Sequence, residues 1–296
     1  MNQKGLIYGL AAYLIWGFFP LYFKLIEIVP AVQILAHRFV WSFILIVLIN
    51  FVRNEWRIII PLVKKPKILA TYALAGSLLA INWGVYVWGV NNGHIVETSL
   101  GYFINPLLNV VLGVLILRER LHWSKWIPVG LATLGVLYLT LESRALPWIG
   151  LVLAFSFGLY GLVKKIAPLN SLQGLTLETM TIFLPALVYL VVMNALGSGM
   201  IFHTTWTVNL LLMFTGVITV VPLLMFGNAV RMIPLWALGF LQYVTPTCQF
   251  LLGVFIFHEP FSTHRLIGFA MIWAALALFS IQELLARRQM VAALSK

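Results

Sequence analysis

The chain has 296 residues, of which 62% are hydrophobic and only 9% are charged. Soluble domains carry about 25% charged residues, so these few charges could not cover a water-exposed surface, and we expect a membrane protein. The formal net charge of +11 would suit a nucleic-acid partner only if the basic residues formed one patch. They fall instead in short clusters between apolar runs, which argues against nucleic acid. The single cysteine, Cys248, excludes an internal disulfide and a cysteine-based metal site.

Ten apolar runs follow one another along the chain, and a helix needs about 20 such residues to cross the hydrocarbon core. They predict spans at residues 5–23, 31–52, 68–90, 97–117, 126–141, 148–163, 175–196, 208–228, 235–257 and 265–284. The first run is longer than a signal-peptide core and lacks a clear cleavage site, so we expect it to be retained. Only helices satisfy their backbone groups in lipid without closing a barrel. The sequence therefore predicts an all-α integral membrane protein with ten transmembrane helices.

The basic residues orient these spans. Most of the 19 Lys and Arg residues lie in the segments that the ten spans place on the same side as the N-terminus. Cytoplasmic segments of membrane proteins carry such an excess of Lys and Arg. The distribution predicts that both the N-terminus and the C-terminus are cytoplasmic.

One spacing pattern occurs twice, about 140 residues apart. Pro-x6-Gly-x5-Glu begins at Pro106 in the fourth span and again at Pro246 in the ninth span. Internal repeats of this kind indicate a duplicated architecture. Because five spans separate the two copies, the halves are predicted to be inverted, with one repeat at 1–143 and the other at 144–296. Inverted repeats are typical of secondary transporters.

The glutamates that end the two copies, Glu119 and Glu259, both fall at span ends. We expect them to be interfacial anchors or caps that fix span 4 to span 5 and span 9 to span 10. A weaker match relates the first and sixth spans, in which Gly9, Trp16, Gly17 and Lys24 align with Gly150, Phe157, Gly158 and Lys165.

The doubled Pro-x6-Gly-x5-Glu pattern, the ten short spans and the 5 + 5 duplication resemble the EamA family of the drug/metabolite transporter superfamily. Segments 99–103, 105–107, 220–223 and 238–243 fit the same family, and the resemblance covers essentially the whole chain. It implies a multi-pass carrier of the bacterial cytoplasmic (inner) membrane. Such a carrier would move a small metabolite or drug by alternating access, as a secondary active transporter.

Arg38 is the sharpest functional candidate, because it lies about two turns into the second span. A charge at membrane depth is costly and usually serves function or pairing. The guanidinium fork suits a carboxylate or a phosphate, so the hypothesis is an anionic or zwitterionic substrate held by Arg38. The alternative is an arginine that extends its side chain to the outer interface.

Glu178 occupies the matching position of the seventh span, near its inner side. Intramembrane acids often form proton relays, so Glu178 is a candidate for proton coupling. The alternative is an ordinary acid in the first turn of a wet helix end, where the helix dipole stabilises it. The sequence favours this second interpretation.

Polar stripes run beside the repeated prolines. Residues at helical spacing share a face, and two sets have that spacing, namely Tyr102, Asn105 and Asn109 in span 4 and Gln242, Thr245 and Gln249 in span 9. Such groups either bond neighbouring helices or line a cavity together with aromatic walls. The predicted substrate-binding residues are Arg38, Trp16, Asn82, Tyr86, Tyr102, Asn105, Tyr160, Gln242 and Tyr243. Pro106 and Pro246 interrupt the helical bonding and are predicted hinges.

Other function classes fit less well. A membrane-embedded enzyme would need clustered acids, histidines or a metal set, and the eight glutamates are scattered. A facilitative, channel-like pore stays the main alternative, although a channel would need rings of like groups along the pore. No nucleotide-binding loop of the G-x4-G-K-[ST] type occurs. We expect no cofactor and no metal, a lipid bilayer and a small molecule as partners, and a monomer that suffices for transport without excluding a dimer.

Overall fold

The computed structural model describes residues 2–92, 94–142, 148–258 and 263–294, and the regular structure of these residues is entirely helical. The α-helices are Gln3–Gly17, Phe19–Lys24, Ala31–Val52, Trp56–Val63, Pro66–Asn91, Ile95–Val111, Trp126–Glu142, Trp148–Ile166, Ser171–Ala195, Trp206–Met232, Leu235–Gln242, Val244–Phe255 and Thr263–Leu294. A π-helical turn at Leu112–Ile116 and a 3-10 turn at Trp123–Lys125 complete the set. The all-helical prediction is confirmed for these residues.

Nine stretches of the described residues are long and apolar enough to cross a membrane. We number them as spans 1 to 9: Gln3–Lys24, Ala31–Val52, Pro66–Val90, Thr98–Ile116, Trp123–Glu142, Trp148–Ile166, Ser171–Ala195, Trp206–Met232 and Leu235–Phe255. Span 10 is the helix Thr263–Leu294, whose apolar part, Leu266–Gln282, is shorter than the others. Each predicted span therefore has a helix, but span 7 begins at Ser171 instead of residue 175.

Large apolar side chains cover the outside of the helices. Phe51, Leu115, Phe155 and Leu210 are all at least half exposed in the isolated chain. Helices can present such a surface to lipid because every backbone bond of the helix interior is made within the helix. The exposed apolar belt is what a bilayer would cover.

The helix contacts follow a regular pattern. Span 2 packs on span 8, and span 7 packs on span 3. Span 1 packs on spans 8 and 9, and span 6 packs on spans 3 and 4. Spans 4 and 9 pack on each other, as do spans 5 and 10. If every span in these pairs is replaced by the span five positions later, with span 1 following span 10, each pair becomes another pair of this set or the same pair again.

Basic residues meet at one end of the bundle, which we call the basic end. There Lys165 donates to the carbonyl oxygens of Val230 and Ile233 at 3.0 and 2.6 Å. Gly5 packs against Ile233 close to the N-terminus. The opposite end holds the loop between spans 7 and 8, where Gln33 bonds the backbone.

Spans 4 and 9 end with the same backbone geometry. The amide of Leu117 donates to the carbonyl of Leu112 at 3.1 Å, and that of Phe257 donates to Leu252 at 2.9 Å. The next residues, Arg118 and His258, have positive φ angles of 54° and 52°, which non-glycine residues rarely adopt. These positions lie 140 residues apart, as do the two sequence motifs. Glu259 lies outside the described residues.

Spans 2 and 7 also end alike, and each span bonds the loop after the other. The amide of Glu55 donates to Asn50 at 3.0 Å, and that of Ser198 donates to Met193 at 2.9 Å. The side chain of Gln33 then donates to the carbonyl of Ser198 at 2.7 Å. Its counterpart 140 residues later, Gln173, donates to the Glu55 carboxylate at 3.0 Å.

The first motif glutamate caps a distant helix. The Glu119 carboxylate accepts from the backbone amides of Leu235 and Trp236 at 2.8 and 3.3 Å, and Lys165 lies 3.4 Å away. A Cβ at Gly113 would lie 2.6 Å from this carboxylate, which explains why the motif has glycine there. The expectation that Glu119 fixes span 4 to span 5 is wrong, because it caps the N-terminus of span 9.

We expect Glu119→Ala to destabilise the protein by about 1–2 kcal/mol, since losing a helix cap costs this much. Glu119→Gln should lose less, because one side-chain oxygen can still accept the amide bonds. The free energy of unfolding in mixed micelles, titrated with a denaturing detergent, measures both. Glu27→Ala is the control, since its pair with Lys24 is exposed and such pairs contribute little. Equal losses for Glu119→Ala and Glu119→Gln would contradict the capping role.

Candidate functional site

Arg38 lies inside the bundle, in a box of aromatic rings. The residue is 8% exposed, and its Nε donates to Oγ1 of Thr219 on span 8 at 3.1 Å. The guanidinium carbon lies 3.9 Å from the ring centre of Trp83, and 5.4 and 5.5 Å from those of Phe19 and Phe23. A cation over aromatic faces is stabilised electrostatically. We call these five residues the arginine cluster.

Within the described part of the chain, Arg38 has no carboxylate at ion-pair distance, and the bond to Thr219 is its one hydrogen bond. A guanidinium has five N–H donors, so several of them remain available in a buried setting. Tyr86 and Tyr102 lie near enough to interact with it electrostatically, and their rings are 5.7 Å apart. The structure thus brings Arg38, Tyr86 and Tyr102 together, as three of the predicted site residues.

Glu178 is also deeply buried, but it is paired. Its Oε1 lies 2.7 Å from Nζ of Lys164, and the two side chains are 1% and 3% exposed. The hydroxyl of Tyr160, itself fully buried, donates to Oε2 at 3.1 Å. We call these three residues the glutamate cluster. The favoured first-turn interpretation is wrong, because span 7 begins at Ser171 and places Glu178 in the second turn.

The two clusters occupy equivalent positions. Arg38 and Glu178 each lie seven residues after the first residue of their spans, Ala31–Val52 and Ser171–Ala195. The residues around them also correspond in pairs that lie 141 positions apart, which is the spacing of the weaker sequence repeat. Phe19 corresponds in this way to Tyr160, and Phe23 to Lys164. An aromatic box therefore surrounds the arginine where an ion pair and a tyrosine surround the glutamate.

Packed rings connect the glutamate cluster with Trp16 of span 1. Trp16 and Phe157 have ring centres 5.7 Å apart, and both contact Phe226 of span 8. The ring of Tyr160 stacks on Phe226 at 5.8 Å. Trp16 and Tyr160, two predicted site residues, thus belong to this central aromatic layer and lie apart from the guanidinium of Arg38.

The predicted amides bond other helices. Asn82 donates to the carbonyl of Leu153 and the hydroxyl of Ser156, at 2.8 and 3.0 Å. Three further predicted residues, Asn105, Gln242 and Tyr243, also bridge spans. Asn105 donates to the carbonyl of Ala154 at 2.6 Å, and Gln242 accepts from Asn109 at 3.1 Å. The hydroxyl of Tyr243 donates to the carbonyl of Phe103 at 3.3 Å. These contacts favour the interpretation of the polar stripes as helix-to-helix bonding.

The predicted hinges lie in that same region. Pro106 is inside the helix Ile95–Val111. Span 9 is divided at Tyr243, three residues before Pro246. A Cβ at Gly239 would lie 2.5 Å from the carbonyl oxygen of Pro106, so the two proline-containing spans cross in close backbone contact.

A cavity of about 340 Å³ opens at the basic end. Its lining comprises Ile49, Arg53, Glu55, Asn170, Ser171, Leu172, Leu224 and Asn228. Along span 2, Leu45, Ser42 and Arg38 follow Ile49 at helical spacing, on one face. Ser42 is buried, and its hydroxyl has no partner among the described residues. These residues form one face of span 2 that runs from the cavity to Arg38.

Five contributors to these clusters were absent from the predicted site: Phe19, Phe23, Trp83, Lys164 and Thr219. Lys164 had been placed outside the membrane, because span 6 was predicted to end at residue 163. The apolar Ile166 after the two lysines is the signal that could have extended the span. Thr219 carries no signal of its own, since its role depends on the packing of span 8 against span 2.

Comparisons with known proteins agree with this architecture. Residues 3–141 match the model of the EamA-like transporter family. The chain is 45% identical to protein RarD of Streptomyces exfoliatus, over 97% of this chain and 91% of that protein. It is 44% identical to the transporter YojE of Bacillus subtilis, over 95% of each chain.

A solved protein structure superposes with a TM-score of 0.72 at 17% identity, covering 95% of this chain and 99% of the other, which shows a shared fold. The relatives that match along nearly the whole chain are named RarD or transporter, in agreement with the expectation that the chain is not an enzyme. The chain belongs to the EamA-like transporter family and, within it, groups with the RarD proteins.

Proposed function

We infer that this protein is a secondary active transporter of the bacterial cytoplasmic membrane, and that it moves a small amphipathic anion or zwitterion by alternating access. Residues 1–143 and 144–296 would form two inverted halves that rock around a substrate held by Arg38. One chain then contains a complete pathway, so a monomer suffices.

Several backbone features support the inverted halves. The cyclic pattern of helix contacts, the positive φ angles of Arg118 and His258 and the reciprocal bonds of Gln33 and Gln173 all relate residues about 140 positions apart. Matching spans are five positions apart in the order of spans, and an odd offset reverses direction across the bilayer. Such halves are the usual basis of alternating access.

The basic end supports the orientation. It carries Lys164, Lys165 and Arg231, together with the segment after span 2 that holds Arg53. Cytoplasmic segments are enriched in Lys and Arg, so we place the basic end in the cytoplasm. The cavity beside Arg53 then opens to the cytoplasm.

Arg38 is the observation that carries the substrate class. A buried charge without a partner is strongly unfavourable, and the arginine cluster supplies no anion within the described residues. A carboxylate or phosphate of the substrate would accept the free guanidinium donors, in a paired geometry that arginine favours. The rings of Trp83, Phe19 and Phe23 offer an apolar surface to the rest of the molecule.

The crossing of spans 4 and 9 supports the hinges. Pro106 and Pro246 remove backbone bonds near the middle of their spans, and Gly239 lets the two helices approach closely. Rocking of one half against the other requires backbone segments that bend at low cost. We propose that Pro106 and Pro246 provide them.

The test is untargeted mass spectrometry of the medium and the cytosol of cells that lack the protein, overproduce it, or overproduce a variant. We expect at least one anionic or zwitterionic metabolite to redistribute with the wild type but not with Arg38→Ala. Truncating one partner of a buried charge pair costs about 2–5 kcal/mol. Since each 1.4 kcal/mol is about tenfold, the flux should fall at least about tenfold.

Two variants control this experiment. Arg38→Lys keeps the charge but not the planar fork, so it should restore only part of the flux. Lys24→Ala removes an exposed positive charge and should transport normally. Normal redistribution with Arg38→Ala would contradict the proposed role of Arg38. A metabolite that is neutral would contradict the substrate class.

A further inference from the structure

A buried carboxylate and a buried ammonium group meet where spans 6 and 7 approach the basic end. We propose that this Lys164–Glu178 pair is the site at which a proton enters the transport cycle, and the proposal rests on the transport function above. Lys164 withdraws as an ammonium group, and a hydronium ion transfers one proton to the Glu178 carboxylate. The products are a neutral carboxylic acid and water, and the protein gains one positive charge.

The burial of the pair limits the forms that the Glu178 side chain can take. Glu178 and Lys164 are 1% and 3% exposed, and their charged atoms lie 2.7 Å apart. An isolated carboxylate in such an interior is strongly unfavourable. Glu178 therefore has two favourable forms, the ion pair seen here and the protonated acid. A change between these forms must accompany any movement that separates span 6 from span 7.

The ammonium group of Lys164 lies a short distance from the water at the basic end. Lys164 lies two residues before the end of span 6, and the next residue, Lys165, already holds its ammonium group at the basic end. A Cβ at Gly227 would touch both the Lys164 side chain, at 3.4 Å, and Ser171, at 3.1 Å. Ser171 lines the cavity, so the ion pair lies directly behind the cavity wall. A long lysine side chain can extend its charge into water from such a position.

Tyr160 can keep Glu178 in place through this exchange. Its hydroxyl donates to Oε2, while Lys164 binds Oε1. A protonated carboxyl group still accepts a hydrogen bond at its carbonyl oxygen. The Tyr160 ring stacks on Phe226, which also contacts Trp16 of the central aromatic layer. A shift of Tyr160 would therefore displace Phe226 and, through it, Trp16 of span 1.

The other polar groups around Glu178 come from three spans. Span 3 contributes Tyr72, whose hydroxyl accepts the backbone amide of Leu169 between spans 6 and 7. Span 2 contributes Asn50, whose amide donates to a threonine of span 7. Span 8 contributes Arg231, which donates to backbone carbonyls between spans 6 and 7. Arg53 and Glu55 lie at the cavity. Lys164 is the cation that pairs with Glu178 among the described residues.

The first readout needs no substrate. Infrared difference spectra of the purified full chain in lipid, recorded between alkaline and acidic pH, detect the C=O stretch of a protonated carboxyl group. We expect a band from a buried carboxyl group in the wild type and in Glu27→Gln, whose carboxylate is exposed. The band should be absent in Glu178→Gln.

The second readout asks whether the proton moves the helices. In a Cys248→Ser background, Leu224→Cys places one thiol on the cavity wall, and Lys4→Cys provides an exposed thiol as the reference for thiol ionisation. We expect the maleimide labelling rate at residue 224, relative to the reference, to change about tenfold between alkaline and acidic pH. That change corresponds to about 1.4 kcal/mol in the conformational equilibrium. With Glu178→Gln the ratio should not depend on pH.

The outcomes separate this proposal from the proposed function. A missing carboxyl band, a band unchanged in Glu178→Gln, or a labelling response identical in the wild type and Glu178→Gln would each overturn proton exchange at Glu178. None of these results depends on a transported metabolite. If Glu178→Gln does not fold, the double variant Lys164→Met/Glu178→Gln leaves no unpaired charge and should fold with the same loss of pH response.

Discussion

Lys164→Met is expected to lower the free energy of unfolding by about 3–5 kcal/mol at neutral pH, because it leaves the Glu178 carboxylate buried without its cation. The two groups are almost fully enclosed and 2.7 Å apart. The double variant Lys164→Met/Glu178→Gln should recover most of that loss, since replacing a whole buried pair by neutral groups is often nearly neutral. Denaturing-detergent titration of the purified protein in micelles measures both.

Similar losses in the single and the double variant would show that the pair contributes through packing and not through its charges. Lys24→Met is the matched control, because Lys24 makes an ion pair of similar length, at 2.6 Å, with side chains 59% and 58% exposed. Exposed pairs are worth at most about 1 kcal/mol. The contrast between Lys24 and Lys164 therefore isolates the effect of burial.

Gly239→Ala is expected to destabilise the protein by about 1–3 kcal/mol, the usual cost of overpacking, and to reduce transport in parallel. The added Cβ would lie 2.5 Å from the carbonyl oxygen of Pro106 and 3.0 Å from Cβ of Asn109. The first of these is a backbone atom and cannot rotate away, so spans 4 and 9 would have to separate. The same titration gives the stability, and metabolite redistribution in cells gives the transport.

Gly130→Ala is the control for this change. A Cβ at Gly130 has nothing within 4 Å, and alanine is a better helix former than glycine by about 1 kcal/mol. We expect Gly130→Ala to be neutral or slightly stabilising and to transport normally. Wild-type stability in Gly239→Ala would contradict the close crossing of the two proline-containing spans.

The helices could be predicted because long apolar runs need no knowledge of their neighbours. The start of span 7 could not be predicted in this way. The polar segment before residue 175 reads as a loop, but the side chain of Asn170 accepts the backbone amide of Gln173 and starts the helix there. This shift of four residues moved Glu178 from a wet first turn into the interior. A single cap thus changed the interpretation of the most consequential acid in the chain.

The polar stripes show where helical spacing stops being informative. Asn109 donates to Asn105 at 3.2 Å, so the shared face in span 4 is confirmed. In span 9 the predicted stripe divides, because Gln242 meets Asn109 of span 4 while Thr245 donates to the carbonyl of Tyr13 in span 1. The helix is interrupted at Tyr243, and spacing alone cannot reveal such a break.

The partners of Arg38 and Glu178 depend on contacts between distant segments. Thr219 lies 181 residues from Arg38. A sequence pattern can place a charge at membrane depth, but it cannot say which helix will face it. The matching of the two positions was visible in the sequence. The opposite outcomes, one side chain paired and the other with no carboxylate at ion-pair distance among the described residues, required the packed structure.

In the proposed inverted architecture, a dimer of two identical first halves would bury an arginine near each face of the membrane, with phenylalanines at both positions that Tyr160 and Lys164 occupy now. A dimer of two second halves would hold an ion pair near each face and no open guanidinium. Neither ancestor would combine the two clusters. If the halves descend from one gene, the joining of the copies allowed each to change independently, and the positions of Arg38 and Glu178 then diverged.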